Sequence, residues 1–197
     1  MPADEVERWR VFLAIEIPET VREALTGPLE SLQPLREAIR INPVDRMHLT
    51  LHFLGHLPRP VVEQLGPALA AVVKRHRRFA VTAQGVGAFP TIARPRVLWA
   101  GITGADLPRL NALQADLGDA LRTVGVTLEG ERFHPHLTLG RVRRPLKTAE
   151  RPLLRDWTVR WGAPIFGEVA VNTVRLMRSQ LGGGPPRYTT LATFDLQ

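Results

Sequence analysis

The sequence predicts an α+β fold with antiparallel β-sheets. Segments with strand and helix patterns follow one another as strand, helix, strand, helix, two strands, helix and three strands. Strict alternation would favour a parallel sheet, whereas consecutive hairpin-like strands favour antiparallel sheets. The fragment HLTL occurs twice, at 48–51 and 136–139, which suggests two related halves. Because no linker rich in Pro, Gly or Ser separates these halves, we expect one domain over residues 1–197.

The first four elements alternate between strand and helix. Residues 9–17, WRVFLAIEI, are typical of a mostly buried strand, and residues 19–32 then predict a helix that an internal Gly-Pro pair weakens. Residues 48–54 predict a second strand, which ends at a glycine. Residues 60–76 carry apolar side chains at helical spacing, with a proline in the first turn, where a helix tolerates it.

The central part of the chain predicts two strands and a helix. Residues 79–86 and 97–102 have strand patterns, and the segment 85–96, GVGAFPTIARPR, is interpreted as a loop between them because it is rich in Gly, Pro and Arg. A helix over 106–124 is expected to begin at Asp106, a good N-cap residue. The buried stripe of this helix is expected to comprise Leu107, Leu110, Leu113, Leu117 and Leu121.

Three further strands complete the predicted fold. Residues 136–139 form the second copy of HLTL, and a basic connection begins over 141–144. Residues 168–178, EVAVNTVRLMR, and 188–194, YTTLATF, predict closing strands around the loop LGGGPPR.

The composition is that of a globular, cytoplasmic protein. Of the 197 residues, 44% are apolar, which is ordinary for a folded domain. No apolar run approaches the length of a membrane span, so no membrane partner is expected. The charged start MPADEVERWR lacks the pattern of a signal peptide. The absence of cysteine excludes disulfides, thiolate metal sites and cysteine nucleophiles.

The net charge favours an anionic partner. It is +7 at pH 7, and nearly all the basic residues are arginine, since Lys74 and Lys147 are the only lysines. A basic surplus favours nucleic acids or phosphorylated metabolites, and arginine binds phosphate in a bidentate manner. A GC-rich genome, which encodes basic residues as arginine, is an alternative origin of the bias, but it leaves the charge in place. Candidate contacts to a nucleic-acid backbone are Arg75, Arg77, Arg78, Arg141, Arg143 and Arg144.

The two HLTL strands combine polar and apolar faces. Alternate residues of a strand project to the same face, so the leucines of each copy face one way and the polar residues the other. Each strand thus offers an imidazole and a hydroxyl on a rigid base anchored by leucines. The predicted polar faces comprise His48, Thr50 and His52 in the first strand and His134, His136 and Thr138 in the second.

Two histidine–hydroxyl pairs suit phosphodiester chemistry. An imidazole with a pKa near 6.5 can accept or donate a proton near neutral pH. One histidine can take a proton from the nucleophile while the other protonates the leaving oxygen. Hydroxyls can donate to the non-bridging phosphate oxygens, on which charge grows in the transition state. The pattern predicts a metal-free phosphodiester site.

Other interpretations of the histidines remain open. A single buried histidine is usually a hydrogen-bonded packing residue, and one His-x-Thr motif occurs readily by chance. The pairs His48/His52 and His134/His136 also have a plausible spacing for metal ligands. Neither motif carries the Asp or Glu that phosphoesterases with hard metal ions need. The sequence contains no GxxxxGK[ST] phosphate loop, GxSxG elbow or HExxH motif.

The paired motif resembles the signature of the two-histidine (2H) phosphoesterases. The extended fragments HLTLHFLG and FHPHLTLGR resemble the LigT-like branch, which comprises RNA 2',3'-cyclic phosphodiesterases, also called 2'-5' RNA ligases. RVFLAIEIP, GVGAFP, RVLWAGI and VRLMRSQL resemble that branch in the right order along the chain. The resemblance implies a bilobal α+β fold with two antiparallel β-sheets facing each other across a central cleft, helices on the outer faces and one HxT motif per lobe.

The resemblance also implies roles for individual residues. His48 and His136 become the acid–base pair, and Thr50 and Thr138 bind the phosphate. Phe53 is expected to stack on the base beside the scissile phosphate, and Arg141 to contact a phosphate. Strict alternation points both of these away from the histidine face, so we expect a bulge or turn near Gly55 and Gly140. His52 and His134 are expected near the substrate or as exposed rim histidines, and Tyr188 as a cleft or core aromatic.

The expected reaction opens a strained ring. Water attacks the phosphorus of a 2',3'-cyclic phosphate in line, and departure of O3' leaves a 2'-phosphate. Our hypothesis makes His136 the base and His48 the acid, although the near-equivalent motifs do not by themselves order them. A 5'-hydroxyl in place of water would form a 2'-5' linkage. No cofactor, ATP or metal is expected, because only protons move.

The expected partner is RNA with 2',3'-cyclic phosphate ends, tRNA fragments among them, bound by a monomer. Two alternatives remain from the sequence. The chain could be a non-catalytic module that binds such RNA ends, which would leave them intact. It could also act on a small nucleotide such as ADP-ribose 1'',2''-cyclic phosphate, which a rate comparison between a mononucleotide and an oligonucleotide would reveal.

Overall fold

A computed structural model of the chain describes residues 7–128, 132–180, 182 and 186–197. These residues contain nine strands, four α-helices and two single turns of 3₁₀-helix, Gln33–Leu35 and Val44–Arg46. The strands are β1 Arg8–Glu16, β2 Ile39–Ile41, β3 His48–Pro58, β4 Phe79–Thr91, β5 Arg94–Thr103, β6 His136–Val142, β7 Ile165–Val171, β8 Thr173–Gln180 and β9 Arg187–Asp195. The helices are α1 Glu19–Glu30, α2 Arg59–Val73, α3 Leu107–Thr123 and α4 Glu150–Trp161.

The strand pairings in the described residues are all antiparallel, which confirms the predicted α+β class. Eight strands follow the order β7-β4-β5-β6-β3-β1-β8-β9, and β2 pairs with β6. Each half of this path contains one HLTL strand, and the halves meet where Leu49 of β3 pairs with Leu137 of β6. The two predicted sheets are therefore joined at one residue pair instead of being separate.

The sheet is curled into a half-barrel. Only Asn172 separates the end of β7 from the start of β8, although these strands belong to different halves of the sheet. One residue spans at most about 3.6 Å, so the two strands must approach each other. The predicted continuous strand over 168–178 is therefore wrong. Its apolar periodicity continues through Asn172, but the sheet partner changes there from β4 to β1.

The predicted loop over 85–96 is also wrong, because most of this segment belongs to the β4–β5 hairpin. Its glycines permit close packing here: a Cβ at Gly87 would lie 2.3 Å from the Trp99 ring. Pro90 and Pro95 pair beside a register shift near the end of the hairpin. A missing N–H donor costs little at such a position, so the prolines do not prevent strand formation.

The helices agree with the sequence pattern except at two points. Leu110, Leu113, Leu117 and Leu121 of α3 are completely buried, and Leu107 packs at their edge, as predicted. Asp106 occupies the N-cap position but makes no capping hydrogen bond, because its carboxylate pairs with Arg109 at 3.4 Å.

Helix α4 was not predicted. It packs beside α1, where the Trp157 indole N–H donates to the Pro28 carbonyl at 2.8 Å. Helix α1 itself continues through Pro28 to Glu30. None of the helices in the described residues combines the length and apolar composition that a membrane crossing requires.

Candidate active site

The two histidine–threonine pairs lie together at the junction of β3 and β6. Leu49 and Leu137, which form that junction, are both 0% exposed and belong to the core. Because side chains alternate along a strand, the flanking polar residues project from the opposite face. The antiparallel register makes His48 and His136 diagonal neighbours, a relation that places Cα atoms about 7–8 Å apart. The polar residues at this junction are His48, Thr50, His136 and Thr138.

Both imidazoles are held in the same way. The ring Nδ1 of His48 lies 2.9 Å from the Arg46 carbonyl oxygen, and that of His136 lies 2.6 Å from the His134 carbonyl oxygen. A carbonyl oxygen only accepts, so each Nδ1 carries the hydrogen. In the neutral ring, Nε2 then carries the lone pair and is the nitrogen that can exchange a proton with a substrate.

The histidine rings pack against aromatic side chains. His48 stacks on Phe12 with 4.8 Å between ring centroids, and Tyr188 meets it edge-on at 5.3 Å. His136 meets Phe89 edge-on at 5.1 Å. Each catalytic candidate therefore has a hydrophobic wall that restricts its orientation.

Burial lowers the pKa of both histidines from the usual value. For His48, desolvation is the main cause, opposed by the bond to the Arg46 carbonyl. For His136, desolvation again dominates, opposed by the His134 carbonyl, and the positive charge of Arg141 lowers the pKa further. Both rings therefore favour the neutral form more strongly than free histidine does.

A β-bulge places Phe53 on the histidine face. In the β1–β3 register, Ala14 pairs with Thr50, but Leu13 pairs with His52, so the register shifts at Leu51. The next step is regular and pairs Phe12 with Phe53, and a second shift follows between Phe12 and Val11. Because Phe12 is on the same face of β1 as Ala14, Phe53 shares the face of Thr50. The bulge that places Phe53 here was expected near Gly55 and lies at Leu51 instead, and Phe53 is 53% exposed beside the site.

The same bulge removes His52 from the site, which corrects the prediction that it shares the catalytic face. His52 pairs with the fully buried Leu13 and points towards α3. Its Nε2 donates to the Gln114 carbonyl at 2.7 Å, and its ring lies 3.1 Å from where a Cβ of Gly118 would be. His52 is a packing residue, and it cannot chelate a metal together with His48.

A bulge in β6 brings Arg141 to the site. Trp99 of β5 pairs with Thr138, whereas Leu98 pairs with Gly140, so Leu139 is the extra residue. Val97 then pairs with Arg141, which puts Arg141 on the same face as Thr138.

Arg141 belongs to a group of cations on this face. Desolvation and the nearby charges of Arg40 and Arg10 lower the pKa of its guanidinium, while Tyr188 acts in the opposite direction. Arginine nevertheless remains charged at neutral pH. Arg10 and Arg40 were not among the predicted site residues, because the strand pairings that bring them together are not visible in the sequence.

The other two predicted site residues, His134 and Tyr188, differ in their surroundings. His134 precedes β6, is exposed, and has its ring 5.8 Å from that of Phe89. Tyr188 lies in β9 against His48 and is 36% exposed, so it lines the site and is not a core aromatic. A cavity of about 230 Å³ adjoins His48 and Tyr188. Among the described residues, no three His, Asp or Glu side chains are grouped as metal ligands.

Comparison with known proteins identifies one family and several similar enzymes. The 2'-5' RNA ligase superfamily matches residues 21–183 of this chain. An RNA 2',3'-cyclic phosphodiesterase of Aeropyrum pernix is 36% identical over 149 residues, which cover 75% of this chain and 80% of that protein. One of Thermus thermophilus is 33% identical over 195 residues, covering 95% and 90% of the two chains.

The fold also has a solved counterpart. The crystal structure of E. coli LigT complexed with 3'-AMP is similar with a TM-score of 0.74 and 27% sequence identity. The similarity covers 96% of this chain and 99% of that one.

Proposed function

This chain belongs to the 2'-5' RNA ligase superfamily, and we propose that it hydrolyses RNA 2',3'-cyclic phosphate ends to 2'-phosphates by histidine acid–base catalysis. The observation that carries the proposal is the matched pair of histidines across the β3–β6 junction. Both have Nδ1 bonded to a backbone carbonyl and Nε2 left for a substrate. The relatives named RNA 2',3'-cyclic phosphodiesterase supply the substrate class.

The reaction needs one neutral and one protonated histidine. The neutral ring takes a proton from water as its oxygen bonds to phosphorus, and the protonated ring gives a proton to O3' as the P–O3' bond breaks. We assign the base to His136, since the charge of Arg141 adds to the desolvation that favours its neutral form. His48 is then the acid. The assignment reverses in the opposite direction of the reaction.

The neighbouring groups stabilise the phosphate. We propose that Thr50 and Thr138 donate hydrogen bonds to the non-bridging oxygens, on which negative charge grows. Arg141 adds a cation from the same face, supported by Arg10 and Arg40. Phe53 offers an exposed ring on which the terminal base can stack. Because only protons move and the ring is already strained, the proposed reaction uses no cofactor.

The same site is proposed to join RNA ends when a different nucleophile attacks the ring. If a 5'-hydroxyl replaces water, the same proton transfers form a 2'-5' phosphodiester and release a 3'-hydroxyl. The superfamily name supports this second reaction. Water is far more concentrated than any RNA end, so hydrolysis is expected to dominate. We further propose that the enzyme is a single-domain monomer of the cytoplasm.

Phosphorus NMR tests the proposed reaction directly. An RNA oligonucleotide that ends in a 2',3'-cyclic phosphate is incubated with the protein in EDTA. The expected product is a 2'-phosphate. Turnover that appears only after a divalent metal is restored would replace the proposed mechanism with a metal-dependent one.

Two further outcomes identify the alternatives. Binding of the RNA end without any conversion would make the chain an end-binding module. Conversion of a small cyclic nucleotide with no conversion of the oligonucleotide would assign it to nucleotide metabolism.

A further inference from the structure

An arginine-rich cavity lies apart from the histidines. It has a volume of about 920 Å³ and is formed by three segments, 92–96 at the β4–β5 turn, 142–148 after β6, and 151–155 in α4. None of the described residues that line it carries a negative charge. We refer to it as the arginine cavity, and its arginines are Arg94, Arg96, Arg143, Arg144, Arg151 and Arg155.

Most of the positive charge in the arginine cavity is uncompensated. Arg144 is the exception, since both of its terminal nitrogens donate to Glu150, at 2.6 and 2.8 Å. Arg155 approaches Asp156 at 3.8 Å, but both side chains are exposed, and such a pair is weak. The arginines that have no carboxylate partner within the described residues are Arg94, Arg96, Arg143 and Arg151.

The lining indicates which part of an anionic ligand the cavity can recognise. Among its described lining residues there is no aromatic side chain on which a base could stack, and Thr148 alone carries a hydroxyl. Ile92, Val142 and Leu146 supply apolar surface between the arginines. Cations without base-reading groups suit a sugar–phosphate backbone, whose contacts carry no sequence information. A concave, positively charged surface also concentrates its field on an incoming polyanion.

Strand β6 connects the arginine cavity to the candidate active site. It begins at His136 and ends at Val142, which lines the cavity. At about 3.4 Å per residue, the two ends are roughly 20 Å apart. Arg141 lies near the cavity end of β6 on the histidine face, whereas the adjacent Val142 packs on the opposite, core-facing side, so the site and the cavity lie on the two sides of this strand end.

We propose that the arginine cavity binds the backbone phosphates of the RNA strand upstream of its cyclic-phosphate end. This inference rests on the proposed function, according to which the cyclic-phosphate end binds at the histidines. The cyclic end occupies the site, and the RNA strand runs past Arg141 and around the end of β6 into the cavity. The cavity therefore contributes to binding of oligonucleotides but makes no contact with a cyclic mononucleotide.

A double charge reversal tests this proposal. Arg96→Glu/Arg151→Glu changes two exposed arginines that have no ion pair among the described residues. A glutamate at position 151 lies in the first turn of α4, where a negative charge is favourable, so folding is preserved. The matched control is Lys74→Glu/Arg160→Glu, which changes the net charge equally at two exposed basic residues outside the cavity lining.

Two assays separate the proposal from the proposed function. The first compares kcat/KM for a cyclic-ended oligonucleotide and a 2',3'-cyclic mononucleotide. The second measures the Kd of a fluorescein-labelled RNA oligonucleotide by anisotropy and needs no turnover. The cavity variant is expected to lose roughly tenfold or more in both oligonucleotide readouts, because repulsion replaces attraction, and to show a shallower salt dependence. Its mononucleotide rate is expected to match the wild type.

Three results would overturn the proposal. The first is that the cavity variant binds RNA as tightly as the wild type. The second is that the control variant loses as much affinity for RNA as the cavity variant, which would show that net charge alone explains the loss. Displacement of the RNA by polyglutamate as readily as by unlabelled RNA would show a general site for acidic chains. If the wild type turns over neither cyclic substrate, the proposed function fails, while the anisotropy result still decides the RNA site.

Discussion

Replacing His52 with alanine tests the strand bulge that separates His52 from the active site. Its Nε2 donates to the Gln114 carbonyl at 2.7 Å, and a hydrogen bond of this kind contributes about 1 kcal/mol. Loss of packing adds about 1 kcal/mol, less than for a fully buried side chain, since the ring is half-buried. The free energy of unfolding should thus fall by about 2 kcal/mol, or about 4–8 °C in Tm for a chain of this size.

Activity and pH dependence give the contrasting readouts for this variant. Because His52 faces α3, kcat/KM for a cyclic mononucleotide should remain at the wild-type value. Burial lowers the pKa of His52 in the folded state. Its neutral ring therefore contributes stability above about pH 6.5, and this contribution is lost as the pH falls through the folded-state pKa. His52→Ala should therefore lose less stability than the wild type between neutral pH and pH 5.

Thermal unfolding, followed by circular dichroism, and the hydrolysis assay together test whether His52 lies against α3 or in the site. Thr50→Ala is the matched control, since it lies two residues away but on the histidine face. It is expected to lose activity with little change in Tm. A His52→Ala protein with an unchanged Tm and a large loss of kcat/KM would refute the placement of His52 against α3.

Three other predictions concern the site itself. The lowered pKa values of His48 and His136 predict a bell-shaped pH profile of kcat/KM on a cyclic mononucleotide, with its maximum below pH 6.5; a maximum above pH 7 would contradict this. Thr138→Ala should lower kcat by about 10²-fold, whereas Thr138→Ser should retain most of it, because only the hydroxyl donates to the phosphate; equal losses in steady-state assays would contradict a donor role. Phe53→Ala should raise KM about tenfold or more through lost base stacking and leave Tm unchanged, since the ring is 53% exposed; a large fall in Tm would make Phe53 structural.

The sequence predicts the faces of the two central strands well. Leu49 and Leu137 are apolar residues within an alternating pattern, and burial follows from that alternation alone. The histidines and threonines next to them then have to share the other face. The buried leucines of α3 are predictable for the same reason, because their apolar side chains recur with the period of a helix.

The residues that form the bulges could not be identified from the sequence. Leu51 and Leu139 are the extra residues, and both are apolar positions within a regular pattern. An extra residue reverses the faces beyond it, so His52 leaves the site while Phe53 and Arg141 enter it. The conflict between alternation and the family resemblance indicated bulges near Gly55 and Gly140; one lies at Leu139, next to Gly140, and the other at Leu51, four residues before Gly55.

Two elements were missed because their sequences carry little periodic signal. Helix α4 buries few of its side chains, Leu154 and Trp157 among them, and it contains Pro152 in its first turn. Strand β2 is three residues long, Ile39–Ile41, and it exists through its pairing with β6. Tertiary contacts, which the local sequence does not encode, determine both.

The most direct test of histidine acid–base catalysis is the single-turnover rate of the wild type, His48→Ala, His136→Ala and the double variant, measured in EDTA on a cyclic-ended RNA. Since each ring moves one proton of a single reaction, each single variant should lose about 10²–10⁴-fold, and the double variant little more than either. Unchanged Tm values serve as the folding control. A single variant that retains the wild-type rate would contradict the two-histidine mechanism.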